Sequence, residues 1–306
     1  MTQQEEKSLH LVGIGVTHSI AYGMHNFIAK SLGLPWTFYS TECATLGDLL
    51  ELARKPTTAG LVVTMPYKTT IMAQLDELDG LAAAIGACNN VYYDNANPRR
   101  LCGTNTDWLG IKGCLLEKTS GIDEDTWQMP VAGLIVGAGG ASRAALYALT
   151  SHLDCTTIYV LNRDDQEVKD LIRDSKRLPV VPQIVHIKAV EQVRDCLSPR
   201  YVVGTVPDLE PKTDTEKNVA AMLRTFLERP EKGVLLDMCF KPRRTRMIKL
   251  AENLGWPCVE GTHVIGYQIE KQWDLWAGEE ICKEMDKDGA WKVLLKAADE
   301  SKAINF

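Results

Sequence analysis

A glycine-rich turn at residues 137–144 is the segment whose residue types and spacing point most directly to chemistry. It reads Gly-Ala-Gly-Gly-Ala-Ser-Arg-Ala and follows an apolar run at 131–136. Gly137 permits a tight turn, Gly139 lets the backbone approach a phosphate, and the small Ala141 lets a helix start close to the sheet, with its amides directed at an anion. An ordinary strand-to-helix turn also uses glycine. The order of strand, turn and helix favours a dinucleotide pyrophosphate site formed by Gly137, Ala138, Gly139, Gly140 and Ala141.

The next strand of the chain ends in polar residues of the kind that bind a ribose. The pattern predicts this strand at 156–161, and Asn162, Arg163 and Asp164 follow it. In a Rossmann unit, the polar residues after the second strand lie beside the ribose of the dinucleotide. We therefore predict a dinucleotide-binding domain with Asn162, Arg163 and Asp164 among its cofactor-binding residues.

Strand and helix patterns on both sides of this turn predict an α/β protein. From residue 131 to about 260 they alternate, which favours a parallel, doubly wound sheet of Rossmann type, with a polar loop at 207–217. The N-terminal part also has α/β character and includes a hairpin of 90–93 with 101–103. A polar, acidic stretch at 120–129 indicates a boundary. We predict a substrate-binding α/β domain at 1–118, a Rossmann dinucleotide-binding domain at 119–262 and a C-terminal helical segment at 263–306.

The C-terminal segment carries an apolar helical stripe that needs a partner. Trp273 and Trp276 are three residues apart, and such tryptophans more often pack than bind ligands. Left uncovered, the stripe would be exposed to water. We therefore expect the C-terminal helices to pack back on the first domain.

Composition argues against a nucleic-acid-binding or membrane-spanning protein. The 306 residues are 45% hydrophobic and carry a net charge of −6, whereas nucleic-acid binding requires a basic face. The nine cysteines have neither CxxC nor zinc-site spacing, so we expect reduced thiols in the cytoplasm and no metal. Residues 1–7 lack the apolar stretch of a signal peptide, and no run is long enough to span a membrane. Monomer and homodimer both fit.

Seven short motifs follow one another along the chain. They are His18-Ser19-Ile20-Ala21-Tyr22 with His25-Asn26, Val63-Thr64-Met65-Pro66-Tyr67-Lys68, Gly86-Ala87-Cys88-Asn89-Asn90, Gly103-Thr104-Asn105-Thr106-Asp107, the glycine turn, Asp237 through Thr245, and Gly261 through Gln268. In this order the motifs resemble those of the shikimate/quinate dehydrogenase family over nearly the whole chain.

The resemblance implies an NAD(P)-dependent oxidoreductase that interconverts a ring hydroxyl and a ketone on a cyclic polyhydroxy carboxylate of the quinate or shikimate type. Oxidation of the alcohol requires hydride loss to nicotinamide and proton loss from the hydroxyl. By resemblance, Lys68 and Asp107 form the pair that handles this proton. In the alternative interpretation they are only a helix-start lysine and a structural aspartate. The resemblance also assigns the acid to Ser19, Thr64, Asn89 and Gln268, and a cofactor contact to Gly261.

Three residues depart from the family pattern by replacing polar side chains. Ala21 stands in place of a serine, Val62 in place of an asparagine and Phe240 in place of a tyrosine. Each lost hydrogen bond weakens binding by about 1 kcal/mol or more. The ligand is then either a relative of shikimate or quinate, or other residues restore the contacts. A non-catalytic, regulatory metabolite-binding relative is the second hypothesis.

The residues after the second strand favour NAD over NADP. In NADP-dependent members of the family, Arg and a second basic residue clamp the 2′-phosphate. Here Arg163 is followed by Asp164, Asp165 and Glu167, and carboxylates repel a phosphate but accept hydrogen bonds from ribose hydroxyls. If these acids only cap the following helix, NADP binding through Arg163 stays open.

Overall fold

The computed structural model describes residues 5–94, 97, 100–119 and 130–306. The acidic stretch predicted as a boundary at 120–129 lies outside the described residues, as do most of 95–99 in the predicted hairpin turn. The chain divides into two compact units. The first comprises Met1–Thr106 and Gln268–Ile304, and the second comprises Asp107–Tyr267 with Asn305–Phe306.

The strands of the described chain are β1 Lys7–Gly13, β2 Trp36–Glu42, β3 Thr58–Val63, β4 Glu77–Leu78, β5 Asn90–Tyr93, β6 Leu101–Thr104, β7 Val131–Val136, β8 Cys155–Leu161, β9 Gln183–His186, β10 Pro199–Gly204, β11 Val234–Asp237 and β12 Cys258–Glu260. The α-helices are α1 Ala21–Ser31, α2 Leu46–Ala53, α3 Gly80–Ile85, α4 Asp107–Thr119, α5 Gly140–His152, α6 Asp165–Ser175, α7 Val190–Val193, α8 Asp214–Leu227, α9 Arg246–Asn253, α10 Thr262–Gly266, α11 Ile269–Ala277, α12 Glu279–Cys282 and α13 Lys287–Glu300.

The first unit contains a mixed sheet in the order β2-β1-β3-β5-β6-β4. Strands β1, β2 and β3 are parallel, and β5 pairs antiparallel with both β3 and β6. The valine- and leucine-rich β3 is almost entirely buried, as expected of a central strand. Its side chains Leu61 and Val63 pack with Leu49 of α2 and Val91 of β5 in one hydrophobic cluster.

The C-terminal helices complete the core of the first unit. Trp273 of α11 is fully buried and donates its indole N–H to His25 Nδ1 of α1 at 3.1 Å. Trp276 donates to Asn90 Oδ1 at 3.2 Å, and α13 packs along α1. The prediction that the C-terminal helices pack back on the N-terminal domain is therefore confirmed.

The second unit contains a parallel sheet in the order β12-β11-β10-β7-β8-β9. Numbered along this unit alone, that order is 6-5-4-1-2-3, which is the doubly wound arrangement of a Rossmann domain. The chain reverses its direction of travel across the sheet between β7 and β10. The carboxyl ends of these two strands form the crevice where such sheets bind ligands. The predicted fold class is confirmed.

The structure differs from the sequence analysis at several elements. Half-way through the predicted 207–217 loop, helix α8 begins at Asp214, because Thr213 and Glu216 form a capping box at its N-terminus. Between β3 and β5 the chain forms a short 3₁₀ helix, Thr70–Gln74, followed by β4 and α3. Helix α4 groups with the second unit, although the predicted domain limit lies after it. Among the described residues, no helix combines the length and apolar character that a membrane span requires.

Candidate functional site

Four neutral polar side chains form a buried hydrogen-bonded group in the first unit, here named the amide cluster: Asn89, Thr106, Gln268 and Gln272. Asn89 Nδ2 donates to Gln268 Oε1 at 2.9 Å, and the Thr106 hydroxyl donates to the same oxygen at 2.6 Å. Gln272 Nε2 lies 3.2 Å from both Gln268 Oε1 and Thr106 Oγ1. All four side chains are at most 6% exposed, so the cluster is a rigid set of neutral hydrogen-bonding groups.

Backbone pairing fixes Asn89 between two strand ends. Its N–H donates to the Thr104 carbonyl at the end of β6 at 3.1 Å, and its carbonyl accepts from Val63 at the end of β3 at 2.7 Å. Its Oδ1 also accepts from the Thr106 backbone N–H at 2.6 Å. Gln268, at the start of α11, and Gln272 are one helical turn apart and therefore present their amides on one face.

Thr64 and Lys68 follow the carboxyl end of β3 in the same unit. Thr64 N–H donates to the Val12 carbonyl at 2.9 Å, which extends the pairing of β1 with β3 by one residue. Gly13 packs directly against Thr64, and only glycine fits at position 13, because a Cβ there would lie 2.5 Å from Thr64 Cγ2. The Lys68 carbonyl accepts from Cys88 N–H at 2.7 Å. The backbone of Lys68 therefore lies next to the residue that precedes Asn89.

Ser19 lies at the end of the 3₁₀ helix Val16–His18 and is 5% exposed. Its Oγ accepts from the Ala21 backbone N–H at 3.3 Å. The preceding loop is fixed by Glu42, whose carboxylate accepts from the backbone amides of Gly15 at 2.7 Å and Val16 at 2.6 Å. The sequence analysis missed Glu42, and nothing in its local sequence indicates this role.

Thr106 and Gln272 were also missed as members of the amide cluster. The spacing of Gln272 four residues after Gln268 places both on one helix face, and this signal is readable in the sequence. Thr106 lies beside the predicted Asp107 in the same motif, but only the fold brings its hydroxyl to Gln268.

Asp107 is the first residue of α4 and is 4% exposed. It belongs to the second unit, whereas Lys68 belongs to the first. Their pairing therefore stays a prediction. Of the residues that depart from the family pattern, Ala21 is buried and Val62 half-buried in the first unit, and Phe240 is half-buried in the second.

The glycine turn joins β7 to α5 at the crevice of the second unit. Gly137 has a φ of 117°, and a Cβ there would lie 2.4 Å from Thr205 Oγ1. The Thr205 hydroxyl donates to the Val136 carbonyl at 2.8 Å and lies 2.7 Å from Ser142 Oγ, so it fastens the turn to the end of β10. A side chain at Gly137 would therefore collide with Thr205 and would strain the backbone at this positive φ.

The start of α5 fits a dinucleotide pyrophosphate. Gly139 is its N-cap residue and offers no side chain to the first amides of the helix. A Cβ on Gly139 would meet no atom within 4 Å, so there is open space beside the amides of Gly140 and Ala141. Uncapped amides facing open space at a helix N-terminus bind phosphate well.

The polar residues after β8 are held by one another. Asp164 Oδ1 accepts from the amides of Gln166 at 2.7 Å and Glu167 at 3.1 Å and so caps α6, as the capping alternative expects. Asn162 Nδ2 donates to Glu167 Oε2 at 2.9 Å. The Arg163 guanidinium donates to Glu216 of α8.

Two further features lie at the carboxyl end of β11. Asp237 is 2% exposed, and burial raises its pKa to about 6 although it accepts hydrogen bonds from Thr245 and Cys239. Gly261 packs closely against the same strand end. A Cβ added at this position would lie 2.4 Å from the Met238 carbonyl oxygen, so only glycine fits. Within the described part of the chain, no His, Cys, Asp or Glu side chains group as a metal site.

Comparison with known proteins gives consistent relatives. Residues 11–91 match the family model described as "Shikimate dehydrogenase substrate binding domain". A quinate dehydrogenase from Emericella nidulans is 31% identical over 294 residues, covering 90% of this chain and 89% of the relative. The pentafunctional AROM polypeptide of Eremothecium gossypii is 36% identical over 280 residues and 89% of this chain, but the chain spans only 17% of that polypeptide.

Solved structures show the same fold. A dehydroquinate dehydratase and shikimate dehydrogenase from S. pombe AroM is 28% identical with a TM-score of 0.71, covering 95% of this chain and 53% of that one. The shikimate 5-dehydrogenase of Thermus thermophilus, in complex with NADP(H) and shikimate, is 25% identical with a TM-score of 0.72, covering 95% and 99%. The enzyme of Listeria monocytogenes, in complex with shikimate and NAD, is 25% identical with a TM-score of 0.73, covering 96% and 99%.

Proposed function

Since the chain belongs to the shikimate/quinate dehydrogenase family, we propose that it interconverts a ring hydroxyl and a ketone on a cyclic polyhydroxy carboxylate of the quinate or shikimate type. The cofactor is a nicotinamide dinucleotide, as in the related structures with NADP(H) or NAD. When bound, the dinucleotide supplies the hydride acceptor. The nine free thiols of the chain support a reducing, cytoplasmic location.

The pyrophosphate would be held by the turn from Gly137 to Ala141. Support comes from the uncapped amides at the start of α5 and from the open space beside Gly139. The ribose would lie at Asn162, Arg163 and Asp164, and the nicotinamide end near Gly261. We favour NAD, because every one of the three acids after Arg163 would oppose a 2′-phosphate at this strand end.

Lys68 would accept the proton of the reacting hydroxyl at Nζ, and Asp107 would hold the resulting ammonium. A correctly placed proton acceptor contributes about 10²–10⁴-fold in rate. The support is that both residues stand in motifs of the family and that Lys68 follows the strand end beside Asn89.

The acid itself would be bound by Ser19, Thr64, Asn89 and Gln268. The amide cluster is the single observation that best supports this assignment, because it joins Asn89 and Gln268 from distant parts of the chain in a buried group. Neutral buried amides reject ligands that lack a matching hydroxyl, since the amides are then left unpaired. Ala21, Val62 and Phe240 make the remaining surroundings more apolar, which favours a shikimate relative as an alternative substrate.

The test is a substrate and cofactor screen followed by absorbance at 340 nm. Quinate, shikimate and their dehydro forms are each mixed with the protein and NAD or NADP. We expect reduced dinucleotide with at least one of these hydroxy acids and faster turnover with NAD. Binding of the acids without any absorbance change would contradict the proposal and favour a regulatory metabolite-binding protein.

A further inference from the structure

The Arg163 guanidinium, which follows the end of β8, donates to the carboxylate of Glu216. We infer that Glu216 is a specificity-determining residue that disfavours NADP by holding the Arg163 guanidinium. This inference rests on the proposed dinucleotide binding and names a residue from the α8 N-terminus, far along the chain from the ribose-binding segment.

The Glu216 carboxylate uses its two oxygens for different partners. Oε2 accepts from the backbone amides of Lys212 at 2.9 Å and Thr213 at 3.0 Å, which completes the capping box of α8. Oε1 accepts from Arg163. The backbone amides and Thr213 hold the pKa of Glu216 down at about 2, so the carboxylate is charged throughout the physiological range.

This arrangement keeps the carboxylate in place whether or not Arg163 is bound to it. Glu216 is anchored by two backbone hydrogen bonds, whereas Arg163 is a long side chain that is 65% exposed. An exposed ion pair adds little to stability. Its effect on a doubly charged phosphate is larger, because the carboxylate both engages one guanidinium nitrogen of Arg163 and repels the phosphate.

A second cation of this sheet edge, Lys188, is also paired with an acid. Lys188, which follows β9, donates to Asp165 Oδ2 at 2.6 Å, and this contact lowers the pKa of Asp165. Arg163, which follows β8, and Lys188, which follows β9, therefore each have a carboxylate partner from this chain. Glu216 differs from Asp165 in that it holds the one arginine placed next to the ribose-binding Asn162.

The experiment measures dinucleotide binding to the full-length protein by isothermal titration calorimetry. Glu216→Gln removes the charge but keeps an oxygen for the amides of Lys212 and Thr213, since glutamine also serves in a capping box. We expect this variant to bind NADP roughly tenfold more tightly, as one new charge-assisted hydrogen bond would give, with NAD binding unchanged. Adding Arg163→Ala to the variant should abolish the gain.

Glu210→Gln is the matched control. Glu210 lies in the loop that precedes α8 and faces Arg246 at 4.0 Å, so its loss should leave the ratio of NADP to NAD affinity unchanged. An unchanged ratio in Glu216→Gln would overturn the inference while leaving the proposed function intact. So would a tenfold loss of NADP binding in Arg163→Ala alone with NAD binding unchanged, because Arg163 would then already hold the 2′-phosphate. If the wild type binds neither dinucleotide, the proposed function fails as well.

Discussion

At the scale of single residues, the amide cluster has a structural role at the residues proposed to bind the acid. Gln268 Oε1 is the common acceptor for Asn89, Thr106 and Gln272. The two motifs that contain Asn89 and Gln268 were predicted as acid-binding from the sequence. Their direct hydrogen bond was not predictable, because 179 residues separate them and only the folded unit brings them together.

Replacing Gln268 should affect both substrate binding and stability. In Gln268→Leu the buried partners Asn89 and Thr106 lose their acceptor, which costs about 1–3 kcal/mol of unfolding free energy. If Gln268 also binds the acid, KM rises roughly tenfold, as expected for one lost polar contact. Denaturant unfolding and steady-state kinetics measure the two effects.

Gln272→Leu is the matched variant for this prediction. Gln272 donates to the same oxygen but has no assigned contact with the acid. We expect it to lose stability with little change in KM. Equal KM changes in the two variants would show that Gln268 has no specific role in binding.

At the scale of elements, the β7–α5 turn is where sequence and structure agree most closely. The strand was predicted at 131–136 and is observed at Val131–Val136, because a continuous apolar run ending in glycine leaves little freedom in its limits. The start of α8 was missed because Pro207 and the polar residues after it resemble a loop. The Thr213/Glu216 capping box was readable at that point, whereas its contact with Arg163 depends on tertiary packing.

Two alanine substitutions in this turn should differ in their effects on stability and on NAD binding. At Gly139 a Cβ meets no protein atom, so Gly139→Ala should retain its melting temperature. The same methyl group would occupy the space proposed for the pyrophosphate, and we expect NAD to bind at least roughly tenfold more weakly. Differential scanning fluorimetry and calorimetric titration provide the two measurements.

Gly137→Ala, in contrast, is expected to destabilise the folded protein. Its φ of 117° and the approach to Thr205 should cost about 1–3 kcal/mol of stability. Normal NAD binding by Gly139→Ala would argue that the pyrophosphate lies elsewhere.

At the scale of the whole molecule, one buried titratable group in each unit should make an opposite contribution to stability in acid. In the first unit, burial lowers the pKa of His25 from 6.5 to about 3. Below pH 6.5, His25 therefore binds a proton in the unfolded chain but stays neutral in the folded unit. The stability contributed by neutral His25 is complete above pH 6.5 and decreases as the pH falls, by about 2 kcal/mol at pH 5.

In the second unit, the buried Asp237 has the opposite effect on the pH dependence of stability. Its pKa is raised from 3.8 to about 6, so the folded unit binds a proton before the unfolded chain does. Acidification from pH 7 to 5 should therefore stabilise this unit by about 1 kcal/mol through Asp237. Hydrogen exchange at the two pH values should show faster opening for peptides of α1 and α11 and no such increase for β10 and β11.

Variants test which side chains are responsible for the pH response. His25→Phe should remove about half of the acid sensitivity of the first unit, because burial also lowers the pKa of His10 to about 4 and this adds a loss of similar size at pH 5. The substitution also leaves the Trp273 N–H without its acceptor. Asp237→Asn should remove the gain in the second unit. Acid sensitivity that is unchanged in His25→Phe would assign the effect to another group.

The central claim is that Lys68 handles the proton in an NAD-dependent oxidation of a ring hydroxyl. The most direct measurement is single-turnover absorbance at 340 nm with the best hydroxy acid of the screen, for the wild type and for Lys68→Ala, with NAD binding measured on the same samples. The account predicts a rate lower by about 10²–10⁴-fold in the variant with an unchanged dissociation constant for NAD. A variant that reduces NAD at the wild-type rate would contradict it.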